Sequence, residues 1–116
     1  MKDVIHFYRV NNLENIRYFY EEVLALKRYK DQGKCLIYDT GGHGKLGFCT
    51  HHPANINDNT CITFVYATQA EVDQKYRHFK ALGITKNEPS KNETFNIYHF
   101  FIKDNEGMTL EFQTFL

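Results

Sequence analysis

NEGMTLEFQ (residues 105–113) is the stretch whose reading decides the fold. Asp104 through Gly107 supplies turn chemistry, and Leu110 and Phe112 then alternate with Thr109, Glu111 and Gln113, the period of a strand with one apolar face. Glu111 stands in the middle of the other face. In a small domain a mid-strand carboxylate either faces water or faces a site that uses it. The stretch HGKLGFC (43–49) repeats the device: Gly44, Leu46 and Phe48 fall where Gly107, Leu110 and Phe112 set the pattern, and Gly47 takes the place of Glu111.

Outward from these two stretches the chain reads as two similar halves. VIHFYRV (4–10) suits a strand with Val4, His6, Tyr8 and Val10 on one face and Ile5, Phe7 and Arg9 on the other. Asn12 is a good N-cap, and Leu13, Ile16, Tyr20, Val23 and Leu24 recur at helical spacing, giving an amphipathic helix of about three turns. A short strand (28–30), a turn (31–33), the strand CLIYDT (35–40), the loop GGHG and a strand at 45–50 follow. Pro53 and its Asn/Asp neighbours read as a linker, which sets module one at 1–52, the linker at 53–59 and module two at 60–116. Beyond it come TCITFVY (60–66), a capping box formed by Thr68 and Glu71, and the stripe Val72, Tyr76, Phe79, Leu82, ended by Gly83. A polar loop with Pro89 and Asn92, the strand NIYHFFIK (96–103) and the closing strand complete the order. Ile5 lies seven residues before Asn12, and Cys61 seven before Thr68. A βαβββ unit of this size cannot bury both faces of its sheet alone, so the two copies are expected to pair.

At 116 residues, 42% hydrophobic and 16% aromatic, the chain builds one domain with a core and not two independent ones. Fourteen basic and fourteen acidic side chains balance to zero, so bulk charge argues for neither a nucleic-acid nor a membrane partner. The same neutrality eases self-association, and two short helices with eight strands carry more apolar face than a monomer of this size hides; a homodimer is expected. No apolar run approaches a membrane span and no signal-peptide core is present, which points to the cytoplasm. The three cysteines, Cys35, Cys49 and Cys61, are odd in number, lack CxxC spacing and sit in strand-like surroundings; they read as reduced, mostly buried thiols.

Three stretches carry a family resemblance. RVNNLENIRYFYEEVLAL (9–26) resembles the first-helix signature of the vicinal oxygen chelate superfamily, which includes glyoxalase I, fosfomycin and bleomycin resistance proteins and ring-cleaving dioxygenases. FVYATQAEVDQKYRHFKALG (64–83) resembles its second-module helix, and FIKDNEGMTLEF (101–112) its closing hairpin, with Asn105 where proline is usual. The resemblance implies an α+β fold in which tandem βαβββ modules form one curved mixed sheet with helices on the convex face. It also implies a divalent metal on the concave face, held from the first and last strand of each module. Carried over, those positions are Ile5, Gly47, Cys61 and Glu111, of which only Glu111 matches. Ile and Gly offer no donor, and one thiolate beside one carboxylate is a poor set for magnesium, manganese or nickel. No metal cofactor is therefore favoured; the alternative is a divalent ion (Ni, Zn, Mn or Fe) held by His6, His51 and Glu111.

The remaining candidates are weighed by strand parity. Glu111 reads as a relict ligand, a general base, an acceptor for a cationic ligand, or a satisfied polar residue. His6 adjoins a matching position, but a shift of one residue reverses the face, so it is expected on the helix side with Tyr8 and Val10. His51 and His52 are adjacent and point to opposite faces, so they cannot share one metal without a bend. His99 shares a face with Phe101 and Lys103, and Cys61 reads as a shielded thiol. His43 in GGHG reads as exposed, its glycines serving a hairpin, because no helix follows to bind phosphate. Phe7, Phe101 and either Tyr98 or Tyr38 are the aromatic candidates, with Arg9 as an anion anchor. The leading expectation is a small organic molecule bound by Phe7, Arg9, Cys61, His99, Phe101 and Glu111 in a concave cleft, flat or cationic in character. The alternative is a metal-dependent lyase or isomerase of the glyoxalase type, a thiol transferase or a dioxygenase, with Glu111 as its catalytic residue.

Overall fold

The computed structural model describes residues 1–55 and 60–116. The chain divides into two compact units, Met1–Ile56 and Asn57–Leu116, and part of the expected linker, residues 56–59, lies outside the described residues. The first unit contains β1 (Ile5–Arg9), α1 (Leu13–Ile16) running into a π-helical segment (Arg17–Val23), β2 (Lys27–Asp31), β3 (Cys35–Asp39) and β4 (Lys45–Cys49). The second contains β5 (Cys61–Val65), α2 (Gln69–Ala81), β6 (Ser90–Asn92), β7 (Ile97–Lys103) and β8 (Thr109–Phe115). This is the α+β architecture of tandem βαβββ modules. Its strands pair as two four-stranded mixed sheets of equivalent order, β1-β4-β3-β2 and β5-β8-β7-β6. In each, the first strand runs parallel to the last and the other pairs are antiparallel.

Both helices start where the sequence places a cap. The Asn12 side chain, on an extended backbone, accepts from the backbone N–H of Glu14 at 2.8 Å and of Asn15 at 3.4 Å. Thr68 accepts from the N–H of Glu71 at 3.2 Å. The positions four, eight and eleven residues after each cap are buried: Ile16, Tyr20 and Val23 in one unit, Val72, Tyr76 and Phe79 in the other. Two details differ from the sequence reading. The first helix is not α-helical throughout, because it widens after Ile16, and Leu24 N–H reaches back five residues to the Phe19 carbonyl at 2.8 Å. The wider turn accommodates the consecutive Phe19 and Tyr20, both buried, and seats Tyr20 4.4 Å from the Phe48 ring. Leu82 lies past the last turn of α2 and is exposed, so the buried stripe ends at Phe79; Gly83, at φ 72°, turns the chain away.

Each helix is tied to its own sheet by a phenol. Tyr38 on β3 donates to Glu21 at 2.7 Å, and Tyr98 on β7 donates to Asp73 of α2. Both tyrosines therefore face their helices, which corrects the expectation that one of them lines a cleft. The closing hairpin is built as the sequence implies. Asp104, buried, accepts from the N–H groups of Glu106 and Met108, both at 2.9 Å, and Gly107 takes the left-handed φ of 87° that the turn needs.

The cysteines depart from expectation. Cys35 and Cys49 are direct cross-strand partners on β3 and β4, with Cα atoms 4.1 Å apart, and are joined as a disulfide. Cys61 is free and exposed. The reading as three reduced, mostly buried thiols fails because the pairing of residues 35 and 49 follows from strand register, which their spacing alone does not reveal.

Candidate functional site

In the second unit, alternation along the strands sorts side chains into two sets. Ile62, Phe100, Ile102, Leu110 and Phe112 are buried, and Phe79 of α2 stands 4.9 Å from Phe112. Cys61, Thr63, His99, Phe101 and Glu111 have the opposite parity and share the face turned away from the helix. Register completes the arrangement, since Glu111 on β8 lies directly between Thr63 on β5 and Phe101 on β7.

Glu111 is only 9% exposed and both its oxygens are engaged. The Thr63 hydroxyl donates to Oε1 at 2.8 Å, and His99 Nδ1 lies 2.6 Å from Oε2. An ionised carboxylate can only accept, so Nδ1 carries the proton in this pair and Nε2 is the nitrogen turned away from it. Phe101 meets the imidazole edge-to-face at 5.1 Å and fixes the plane of the ring. Cys61 Sγ sits 3.8 Å from the Thr63 hydroxyl. Partial burial pushes this thiol up, the Glu111 carboxylate adds to the effect, and the bond to Thr63 opposes it. Cys61 is thus not an activated nucleophile. Chemically, the patch offers an imidazole oriented by a carboxylate, next to an exposed aromatic ring. Such a group accepts or donates a hydrogen bond to a bound molecule, or moves a proton at Nε2.

The equivalent place in the first unit is filled differently. Gly47 on β4 lies between Phe7 on β1 and Ile37 on β3. A Cβ on Gly47 would fall 2.4 Å from Cδ1 of Phe7, so the Phe7 ring lies against the bare backbone there. Ile5, Phe7 and Arg9 alternate on β1 and are exposed. His6 has the opposite parity, that of the buried Val10, and is itself exposed at the strand's start.

Of the residues proposed from sequence, the structure brings Cys61, His99, Phe101 and Glu111 together in the second unit, with Phe7 and Arg9 one turn of the pleat apart on β1 of the first. The alternative metal ligands fare differently. His51 packs beside the disulfide, with Nδ1 3.7 Å from Cys35 Sγ and its ring 4.4 Å from that of His52. Among the described residues, the group of three ligating atoms lying within 4.8 Å of one another is Cys35, Cys49 and His51, to which neither His6 nor Glu111 belongs. Thr63 was not singled out from sequence. Its signal is its position two residues after Cys61, on the same face, but nothing local says that Glu111 stands opposite.

A sequence model of the Glyoxalase/Bleomycin resistance protein/Dioxygenase superfamily matches residues 4–112. The chain belongs to this superfamily. Solved structures with the same fold include a lactoylglutathione lyase from Agrobacterium tumefaciens, 20% identical, with a TM-score of 0.78 over 96% of this chain and 91% of that one. A possible glyoxalase from Bacillus cereus is 17% identical, with a TM-score of 0.79 over 97% of each chain. A glyoxalase/bleomycin resistance protein/dioxygenase from Nocardioides is 17% identical, with a TM-score of 0.78 over 97% of this chain and 82% of that one. At these identities the likeness shows the fold. No curated protein is similar enough in sequence to match. The superfamily's metal, tested against the residues at hand, fits poorly. Ile5 and Gly47 have no donor atom, and the Phe7 ring lies over Gly47. This set does not suit a hard divalent ion.

Proposed function

We propose that this glyoxalase-superfamily protein binds a small organic molecule against the open face of its second sheet, without the superfamily's usual divalent ion. The observation that carries the reading is the buried Glu111 carboxylate, satisfied from both sides by Thr63 and His99. A buried carboxylate held in this way orients the imidazole toward whatever lies above it. Phe101 and Val65, both about half exposed, supply apolar surface around that polar anchor. A binding site needs little more than apolar surface with a few placed polar groups. The ligand class that suits this set is a flat or cationic organic molecule, which Phe101 would stack and the Glu111–His99 pair would anchor. A screen of thermal stabilisation with small organic cations, thiol adducts and antibiotics tests it: a ligand at a hundred times its Kd adds about 2.7 kcal/mol to stability. Hits are expected to disappear in Glu111→Gln and His99→Ala. Hits that all survive Glu111→Gln would place the ligand elsewhere.

A second reading is an enzyme, favoured by the 2.6 Å contact that presents His99 Nε2 as an oriented base. In its metal-dependent form, as a glyoxalase-type lyase or isomerase, a thiol transferase or a dioxygenase, it requires an ion at Glu111. One equivalent of nickel, zinc, manganese or iron that is lost on Glu111→Gln, or turnover of a hemithioacetal or catechol on metal addition, would replace the binding reading. A homodimer in the cytoplasm completes the proposal, and the mass in solution by light scattering checks the first of these. No helix of the described residues is long and apolar enough to cross a membrane.

A further inference from the structure

The first unit carries a cluster that the Glu111 patch does not use. Cys35 and Cys49 face each other across β3 and β4, and Cys49 is buried. His51 follows two residues after Cys49 and returns its Nδ1 to 3.7 Å from Cys35 Sγ. The two sulfurs and this nitrogen all lie within 4.8 Å of one another. We propose that, once the Cys35–Cys49 disulfide is reduced, the two thiolates and His51 form a binding site for a borderline-soft divalent cation, with zinc as the natural occupant.

The geometry suits the ion. With Zn–S near 2.3 Å and Zn–N near 2.0–2.1 Å, donor atoms around a tetrahedral zinc stand roughly 3.5–3.8 Å apart. The Cys35 to His51 separation already has that value, and the sulfurs reach it by rotation about their Cα–Cβ bonds. Backbone hydrogen bonds also hold the two strands in register beside the sulfur–sulfur bond. Cys49 O accepts from Val10 N–H at 3.0 Å, Cys35 O accepts from Gln32 N–H at 2.8 Å, and Thr50 N–H donates to Lys34 O at 2.9 Å. The frame that holds the two cysteines opposite each other is therefore that of the sheet. His51 is exposed and gives solvent and metal access, leaving a fourth position for water. Thiolate and imidazole are donors that suit zinc better than they suit harder ions such as magnesium or manganese.

The conversion balances. A dithiol reductant attacks one sulfur as thiolate, the S–S bond breaks, and the mixed disulfide is resolved by the reductant's second thiol. Two electrons and two protons pass to the protein, and the reductant leaves as its cyclic disulfide. Zinc then displaces the two thiol protons as it binds. A disulfide oxidant reverses the exchange: one cysteine thiolate attacks it, the other resolves the mixed disulfide, the oxidant leaves as its two thiols carrying the two electrons, and the ion is released as the Cys35–Cys49 bond re-forms.

The test uses the full chain with Cys61→Ser, so that only two thiols remain. After reduction with a water-soluble phosphine under anaerobic conditions, zinc titrated against a chromophoric chelator is expected to bind at one equivalent per chain. Cobalt in its place is expected to show a thiolate charge-transfer band. The oxidised protein is expected to bind neither. Cys49→Ser should abolish the site, and His51→Gln should weaken it about tenfold or more. Where the cysteine variant does not fold, wild-type protein decides: zinc should shield Cys35 and Cys49 from alkylation, mapped by mass spectrometry, while Cys61 keeps reacting. Unprotected cysteines, or zinc binding that is unchanged by Cys49→Ser, would overturn the proposal. Zinc that follows Glu111→Gln instead would overturn it as well and support the metalloenzyme reading, so the two ideas fail separately.

Discussion

Residues 47 and 111 occupy the same place in two copies of one fold and are filled in opposite ways. In the first unit the position is a glycine, and the neighbouring β1 residue, Phe7, lays its ring where a side chain would stand. In the second it is a carboxylate, and the corresponding β5 residue is Thr63, small enough to leave room and polar enough to donate to it. The strand order and register are otherwise equivalent. The two units thus share a frame while the residues on this face differ as matched sets: glycine with phenylalanine, glutamate with threonine and histidine. A polar residue transplanted alone from one copy into the other would meet the wrong neighbours.

Four experiments break or sharpen this contrast. The largest effect is expected on the first unit alone. Its disulfide closes a loop of 14 residues in sequence separation, so reduction in the presence of a chelator should lower its stability by about 3 kcal/mol. Native-state hydrogen exchange should show β3 and β4 losing protection while β7 and β8 keep theirs. Next comes Glu111→Ala, which removes the acceptor for both Thr63 and His99 and should cost about 2 kcal/mol in urea unfolding. An unchanged midpoint would mean that the pair is solvated and that the second unit's face is as inert as the first's.

The third experiment concerns acid. Arg28 holds the Glu21 carboxyl below its ordinary value of 4.5; burial opposes this, and the Tyr38 hydroxyl adds to it. A carboxyl lowered in the folded state contributes stability that is fully present above the unfolded value and is lost as pH falls through the folded one. Glu21→Gln should therefore cost about 1 kcal/mol at neutral pH and flatten the acid limb of the stability curve. A parallel downward shift at every pH would show that the charge of Glu21 is irrelevant. An effect no larger, about 1 kcal/mol, is expected for Gly47→Ala, because the Phe7 ring can swing outward. Combination with Phe7→Ala should be markedly less than additive, and strict additivity would show that the ring does not guard that position.

What the sequence made legible was local. Asn12, the Thr68–Glu71 pair and the Asp104–Gly107 turn each satisfy backbone donors within a few residues, so their residue types carry the signal. Strand parity is equally local, which is why Glu111 could be set opposite Leu110 and Phe112, and His99 on one face with Phe101; placing Cys61 beside them rested on the family resemblance. What escaped depends on register between distant strands. The Cys35–Cys49 bond, the Thr63–Glu111 bond and the two tyrosine ties to the helices each join residues whose proximity follows from how strands are aligned. The π-helical turn escaped for another reason: Ile16, Tyr20 and Val23 recur at a spacing that α and π winding share over so short a run.

The engaged carboxylate also restricts the directions from which a further group can reach it. A bare cation that took the lone-pair directions used by the Thr63 hydroxyl and the His99 ring would displace both groups. Hydrogen bonds to a charged group are worth roughly 1.5–3 kcal/mol each, so losing both forfeits about 3–6 kcal/mol. That corresponds to about two to four orders of magnitude in affinity. A carboxylate has about four lone-pair directions, and two of them remain here. A guest that approaches along those directions with an N–H or O–H donor keeps the existing bonds and adds its own. Thr63 and His99 thus leave Glu111 two open directions, along which an N–H or O–H donor can add its bond without breaking theirs.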